Sequence, residues 1–305
     1  MSARHGAALA GLALLVGCNG GGGRDAAPRA APVAAAPVPY TPPGPPHFVL
    51  DGGRTGQAGA VQGGAMLGNV PGGTLRLTLD GRPVPFARDG RFLIAFDRDA
   101  GTSATLVATR LSVPPVTQVL TVAPRAWRIE RLASLPRFAQ PSAEFQRRRP
   151  AELEQIAAAR AGDTASDGWR QIFRWPATGR ISGLFGSQRV YRGEPGAYHS
   201  GVDVAKGQGA PVVAPADGVV TLATAGPFTI EGNLVILDHG MGLNSAFLHL
   251  SRIDVQVGQQ VRQGEPIGAV GRTGRATGAH LHWGMKWGDA RIDPLLVAGP
   301  MPKGG

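Results

Sequence analysis

Glycine cuts the C-terminal half of this chain into pieces too short for helices. It recurs at positions 207, 209, 218, 232, 240, 258, 264, 268, 271, 274 and 278. The apolar runs between these breaks, at 212–213, 219–221, 234–237, 246–250 and 280–285, have the length of strands. No 3.6-residue apolar period persists from Trp175 onward, so residues 175–305 are predicted to form an antiparallel β domain.

The segment 47–130 also carries a strand period, in shorter repeats. Leu75, Leu77 and Leu79 alternate with Arg76, Thr78 and Asp80, and Phe92, Ile94 and Phe96 alternate with Arg91, Leu93 and Ala95. Asp80-Gly81 and Asp89-Gly90 mark turns, and 104–109 and 117–122 read as two more strands. Short strands at this spacing predict a small β-sandwich, a spacer or binding module without a chemical constellation of its own. Between the two β parts, 131–174 reads as a helical connector. Pro150 sits early, Leu153, Ile156, Ala157 and Arg160 recur at helical spacing over 142–161, and Arg147–Arg149 is expected on a solvated face. Residues 162–168 read as a loop.

The formal charge of +10 raises the question of nucleic acid, and its distribution answers it. Residues 178–305 hold eleven basic and nine acidic side chains, so the surplus lies upstream. No basic run exceeds three residues and aromatic residues are only 6%, a poor fit to a nucleic-acid binder. Attraction to an acidic polymer or anionic surface is compatible with this balance. One cysteine excludes an internal disulfide and a four-thiolate zinc site.

That cysteine has a telling place. Arg4 and His5 precede a small, apolar run from Gly6 to Gly17, too short to span a bilayer but suited to a signal-peptide core. The run ends in Leu15-Val16-Gly17-Cys18, which resembles the lipobox of bacterial lipoproteins. The resemblance implies a signal peptide over 1–17, lipidation of Cys18 and a membrane anchor. With Asn19 next, it also implies the outer membrane, facing the periplasm, in a two-membrane host. Residues 18–46, rich in Gly, Ala and Pro, read as a tether.

Five of the seven histidines fall between positions 199 and 282. His199-Ser200-Gly201-Val202-Asp203 sets an imidazole four residues before a carboxylate. In His280-Leu281-His282 the two imidazoles leave a strand on the same face. Zinc, which takes nitrogen and oxygen ligands in tetrahedral geometry, would explain such a pair facing inward. Each fragment alone is weak; both in one domain, with His249 between them in Phe247-Leu248-His249-Leu250, is a stronger signal.

Residues 180–294 resemble the lysostaphin-type, or LytM-type, zinc metallopeptidase domain, which cuts peptide bonds in bacterial peptidoglycan. Besides the histidine motifs, Gly209-Ala210-Pro211-Val212-Val213-Ala214, Gly232-Asn233, His239-Gly240 and the segment Thr273 to His282 match the family's motifs in order. The resemblance implies one zinc per chain, held by His199, Asp203 and His282. It assigns His280 to deprotonating water at the metal and later protonating the leaving amine, and His249 to stabilising the oxyanion. These two roles are open to exchange. Phe247 stands where the family usually has tyrosine, which removes a hydroxyl expected beside the active site. His239 is expected to shape the Gly240 turn, and the arginines of the 271–278 loop either meet substrate carboxylates or are simply solvated.

The expected fold is therefore mainly β: an N-terminal small β-sandwich, a connecting helix and a C-terminal antiparallel β metallopeptidase domain. The expected function is zinc-dependent hydrolysis of peptidoglycan stem or cross-bridge peptides, with regulatory cell-wall or division proteins as further partners. The alternative is a non-catalytic activator of another wall hydrolase. Such relatives have lost zinc ligands, whereas all three are present here.

Overall fold

The computed structural model describes residues 44–53, 59–133 and 142–302. Cys18, the signal-peptide segment and nearly all of the 18–46 tether lie outside the described residues, as do residues 134–141 of the connector. Among the described residues no helix is long and apolar enough to cross a membrane.

Eight strands form the upstream β part: β1 (Val49–Gly53), β2 (Ala60–Val61), β3 (Ala65–Asn69), β4 (Thr74–Leu79), β5 (Arg82–Val84), β6 (Arg91–Ala95), β7 (Ser103–Arg110) and β8 (Val116–Ala123). They make two sheets, β1-β3-β6 and β2-β8-β7-β4-β5. Asp80 and Gly81 both have positive φ and close the β4–β5 hairpin, the two-residue turn that an Asp-Gly pair favours. Met66, Phe92 and Ile94 of one sheet pack against Leu77, Leu106, Leu120 and Val122 of the other, which gives the sandwich its core.

Strand β6 departs from the simple alternation. Phe92, Leu93, Ile94, Ala95 and Phe96 are all buried. Phe92, Ile94 and Phe96 enter the sandwich core, while Leu93 and Ala95 join the core of the C-terminal part. A strand covered on both faces has no reason to alternate apolar with polar.

Strand β9 (Ile129–Leu132) is followed by helix α1 (Ala143–Ala161), whose first turn is capped by Ser142 accepting from the Phe145 N–H at 3.1 Å. The C-terminal part contains β10 (Arg180–Gly183), β11 (Gln188–Tyr191), β12 (Glu194–Pro195), β13 (Gly201–Ala205), β14 (Pro211–Val213), β15 (Gly218–Ala223), β16 (Asn233–Asp238), β17 (Leu243–Leu250), β18 (Arg252–Ile253), β19 (Gln260–Val261), β20 (Pro266–Ala269), β21 (His280–Trp287) and β22 (Ala290–Ile292), then helix α2 (Pro294–Ala298). The main sheet runs β10-β13-β21-β17-β16-β15-β19, with β22 also on β21, and every pairing in it is antiparallel. One face buries Val202, Val204, Phe247, Leu281 and Trp283 in the largest core. The other carries Leu222, Leu234, Ile236 and Ala246, which Ile156 and Ala159 of α1 cover. That second cover explains why 234–237 is apolar at every position.

Helix α1 does not sit on the sheet as its sequence suggests. Leu153 is half exposed, whereas Glu152 is buried and takes the Thr229 N–H at 2.9 Å and the Thr229 hydroxyl. Arg149 is not on a solvated face: it forks onto Glu231 with N–O distances of 2.6 and 2.8 Å. The helix is fixed by ion pairs and hydrogen bonds as much as by its apolar residues.

Candidate metal centre

The main sheet builds the site through register. Asp203 on β13 lies directly opposite His282 on β21, and Ala205 lies opposite His280. Directly opposed residues project to the same face, and so do i and i+2 of one strand. The Asp203 carboxylate therefore shares a face with both imidazoles of β21. His199, four residues before Asp203, leans over the same point from the segment leading into β13.

Three ligand atoms converge there. His199 Nε2 is 3.0 Å from Asp203 Oδ1 and 3.0 Å from His282 Nδ1, and His282 Nδ1 is 2.9 Å from Asp203 Oδ1. The edges of this triangle are close to the ~3.3 Å that separates tetrahedral ligands at zinc–nitrogen and zinc–oxygen bond lengths. The donor set, two imidazoles and one carboxylate, suits zinc as well. His199 donates its Nδ1–H to the Leu184 carbonyl at 3.1 Å, which leaves Nε2 as the free lone pair on the ligand side. The residues fit the metal that the motifs imply.

Electrostatics agree with a cation at this point. Burial works against the charge of Asp203, yet hydrogen bonds and charge from His199 and His282 hold its carboxyl far below the usual range. Burial likewise opposes a charged His199, but the bond to Asp203 outweighs it and raises its pKa; in His282 burial wins and lowers it.

Two more histidines flank the triangle. His280 Nε2 is 3.8 Å from Asp203 Oδ1, and its Nδ1–H goes to the Gly278 carbonyl at 2.9 Å. The His249 ring lies 4.8 Å from that of His280 and 6.3 Å from that of His282. Burial pushes its pKa down to about 4, against the hydrogen bond of its Nδ1–H to the Thr273 carbonyl at 2.9 Å. Both rings thus hold Nδ1 on the backbone and leave Nε2 free to exchange a proton.

The placement of His249 is unusual. Leu248 faces His282 and Phe247 faces Trp283 in the core, so plain alternation would turn residue 249 into the core. His249 instead adopts a left-handed φ of 65° at the end of β17, and this swings its ring to the site face.

Other features were not visible as site residues in the sequence. A Cβ on Gly201 would stand 2.7 Å from His282 Nε2 and 2.4 Å from the Trp283 carbonyl oxygen. One on Gly183 would stand 2.3 Å from Asp203 Oδ2. Only glycine fits against these ligands, and the sole signal was a glycine inside the His-x-x-x-Asp motif. Phe247, expected beside the site, is fully buried on the opposite face of the sheet. A hydroxyl there would enter the core. His239 is a satisfied core residue, with Nδ1 2.7 Å from the Asp217 carbonyl and Nε2 2.8 Å from Ser245 Oγ. Arg272 and Arg275 are exposed.

Residues 197–294, which contain all five of these histidine and aspartate residues, match the model of Peptidase family M23. This segment is an M23 peptidase domain. The chain is 41% identical over 128 residues to DD-carboxypeptidase/endopeptidase Mpg of Neisseria meningitidis, a match covering 41% of this chain and 28% of that protein. It is 39% identical over 125 residues to peptidoglycan DD-endopeptidase ShyA of Vibrio cholerae, covering 40% of this chain and 29% of that one. The matched segment thus spans less than a third of these curated relatives. A crystal structure from Pseudomonas aeruginosa described as a peptidase M23 is similar over 78% of this chain and 94% of its own, at 29% identity and a TM-score of 0.58. That likeness reaches well beyond the M23 domain into the upstream sheets.

Proposed function

We propose that this chain is a zinc-dependent endopeptidase that hydrolyses peptide bonds in peptidoglycan stem or cross-bridge peptides. The observation that carries the reading is the triangle of His199 Nε2, Asp203 Oδ1 and His282 Nδ1, with two histidines beside it whose Nε2 atoms are free. The relatives named DD-endopeptidase support bonds between D-residues as the target.

His199, Asp203 and His282 would hold one zinc per chain. When bound, zinc supplies Lewis-acid polarisation of a carbonyl and a lowered pKa for water. The remaining work falls to the protein. One of His249 and His280 takes a proton at Nε2 from the attacking water and returns it to the leaving amine. The other, when its Nε2 also carries a proton, donates a hydrogen bond to the developing oxyanion. Each is pinned by its Nδ1–H to a carbonyl, so neither ring needs to reorient.

This reading places the chain in the cell envelope, and the 15–18 motif supports a lipid anchor at Cys18. A Cys18→Ser chain should then leave the membrane fraction of the cells that make it; retention there would refute the anchor. The activity itself is tested by incubating the protein with purified peptidoglycan and counting new amino termini, beside a His280→Ala control. Release by the wild type alone supports the hydrolase. Bound zinc without release by either protein would favour the non-catalytic activator instead.

A further inference from the structure

Helix α1 and the site face of the main sheet enclose a cavity of about 190 Å³ that reaches His282. Its wall is cationic, with Arg149, Arg160, Lys286 and Arg291 against one carboxylate, Glu231. Glu231 is already engaged, because both its oxygens accept from Arg149. The other three cations are poorly matched. Lys286 reaches only the exposed carboxylate of Asp289, at 3.6 Å. The Arg291 guanidinium donates to the Tyr198 hydroxyl and lies 5.3 Å from that ring's centre, but its bond to the Asp97 carboxylate comes from the backbone N–H, not the side chain. Arg160 is the most exposed to this imbalance: its Nε is buried without a hydrogen-bond partner, and among the described residues it makes no ion pair. Burial above all, and then the charge of Arg291, work against its protonated form and outweigh the charge of Glu231, which favours it.

A buried guanidinium atom without an acceptor, among cations, marks a place where an anion is missing. The planar fork of arginine matches a carboxylate. The cavity has room for that group with a small residue attached, and His282 forms part of its wall.

We infer that this cavity is a carboxylate subsite, in which Arg160, Lys286 and Arg291 bind a free carboxylate of the peptide lying across the site face. The inference rests on the peptidase reading above and narrows its substrate to peptides bearing a free carboxylate near the scissile bond. It also gives helix α1 a place in substrate recognition, since Arg160 comes from its last turn.

The test is binding of a lysyl-D-alanyl-D-alanine peptide, acetylated on both lysine amines, to the full chain. The free acid is compared with its C-terminal amide by calorimetry. The acid is expected to bind wild type about tenfold or more tightly than the amide, the scale of one charge-assisted hydrogen bond. Arg160→Gln is expected to abolish that preference and Arg160→Lys to retain part of it. Should Arg160→Gln fail to fold, Lys286→Gln is expected to weaken the preference in the same assay. Equal binding of acid and amide, binding of neither, or a preference that survives Arg160→Gln overturns the proposal. Binding does not require turnover, so the two readings fail separately. Acid preference without peptidoglycan cleavage would sink the hydrolase and keep the subsite, and cleavage without acid preference would do the reverse.

Discussion

His249 holds a left-handed backbone that a non-glycine residue adopts at a cost of about 1–3 kcal/mol. The strain aims its ring at the site, so ring and strain can be removed together. His249→Gly is expected to match or exceed the wild type in thermal stability while peptidoglycan hydrolysis falls about 10²–10⁴-fold. Unchanged hydrolysis would remove His249 from the chemistry. Gly201→Ala probes the opposite limit, since its Cβ would collide with His282 Nε2 and the Trp283 carbonyl. It is expected to weaken zinc affinity about 10–100-fold, read by competition with a chelator. The sequence exposed these residues unequally. His280 and His282 are legible because a strand repeats every two residues, and register then brings Asp203 opposite. His249 was visible as a third histidine between those motifs, but its role came through family resemblance, because alternation points it the wrong way. The carbonyls of Leu184, Thr273 and Gly278 leave no trace in sequence, since every residue type offers the same acceptor.

Among the elements, α1 was expected from its spacing and formed over Ala143–Ala161, but its docking was not foreseen. A helical period separates apolar from polar faces, and it cannot show that Arg149 and Glu152 find partners at Glu231 and Thr229. Those contacts imply a pH dependence. Burial raises the pKa of Glu152, but the Thr229 and Arg149 bonds outweigh it and hold the folded-state value below 4.5. Its stabilising contribution is thus fully present above about pH 4.5, the unfolded range, and fades as pH falls through the lowered folded value. Glu152→Gln is expected to unfold more easily than wild type at pH 7, with the gap narrowing below about pH 4.5. A gap that widens on acidification would contradict this account. Strand β6 and the Phe96 after it show the same limit on the β side: five consecutive buried residues, Phe92 to Phe96, serve two cores, which no single alternating pattern encodes.

For the whole molecule, the two β parts were legible as separate runs of strands, whereas their union was not. Leu93 and Ala95 share a core with Val202 and Trp283, and β9 pairs with β11 in parallel. Arg98 donates to the Gly186 carbonyl at 3.1 Å and Arg125 to Asp293 at 2.8 Å. Asp293 is almost wholly buried, and burial raises its pKa against the pull of Arg125. Arg125→Ala is expected to cost about 1.5–3 kcal/mol in denaturant unfolding, the value of a charged hydrogen bond. No loss would mean that this contact does not help hold the upstream sheets on the M23 domain. Whether His199, Asp203 and His282 hold a metal is read from the zinc content of the purified full chain beside Asp203→Ala. One zinc per chain in the wild type and none in the variant is the expected result. A wild type that takes up no zinc, or an Asp203→Ala chain that keeps a full equivalent, would contradict the account.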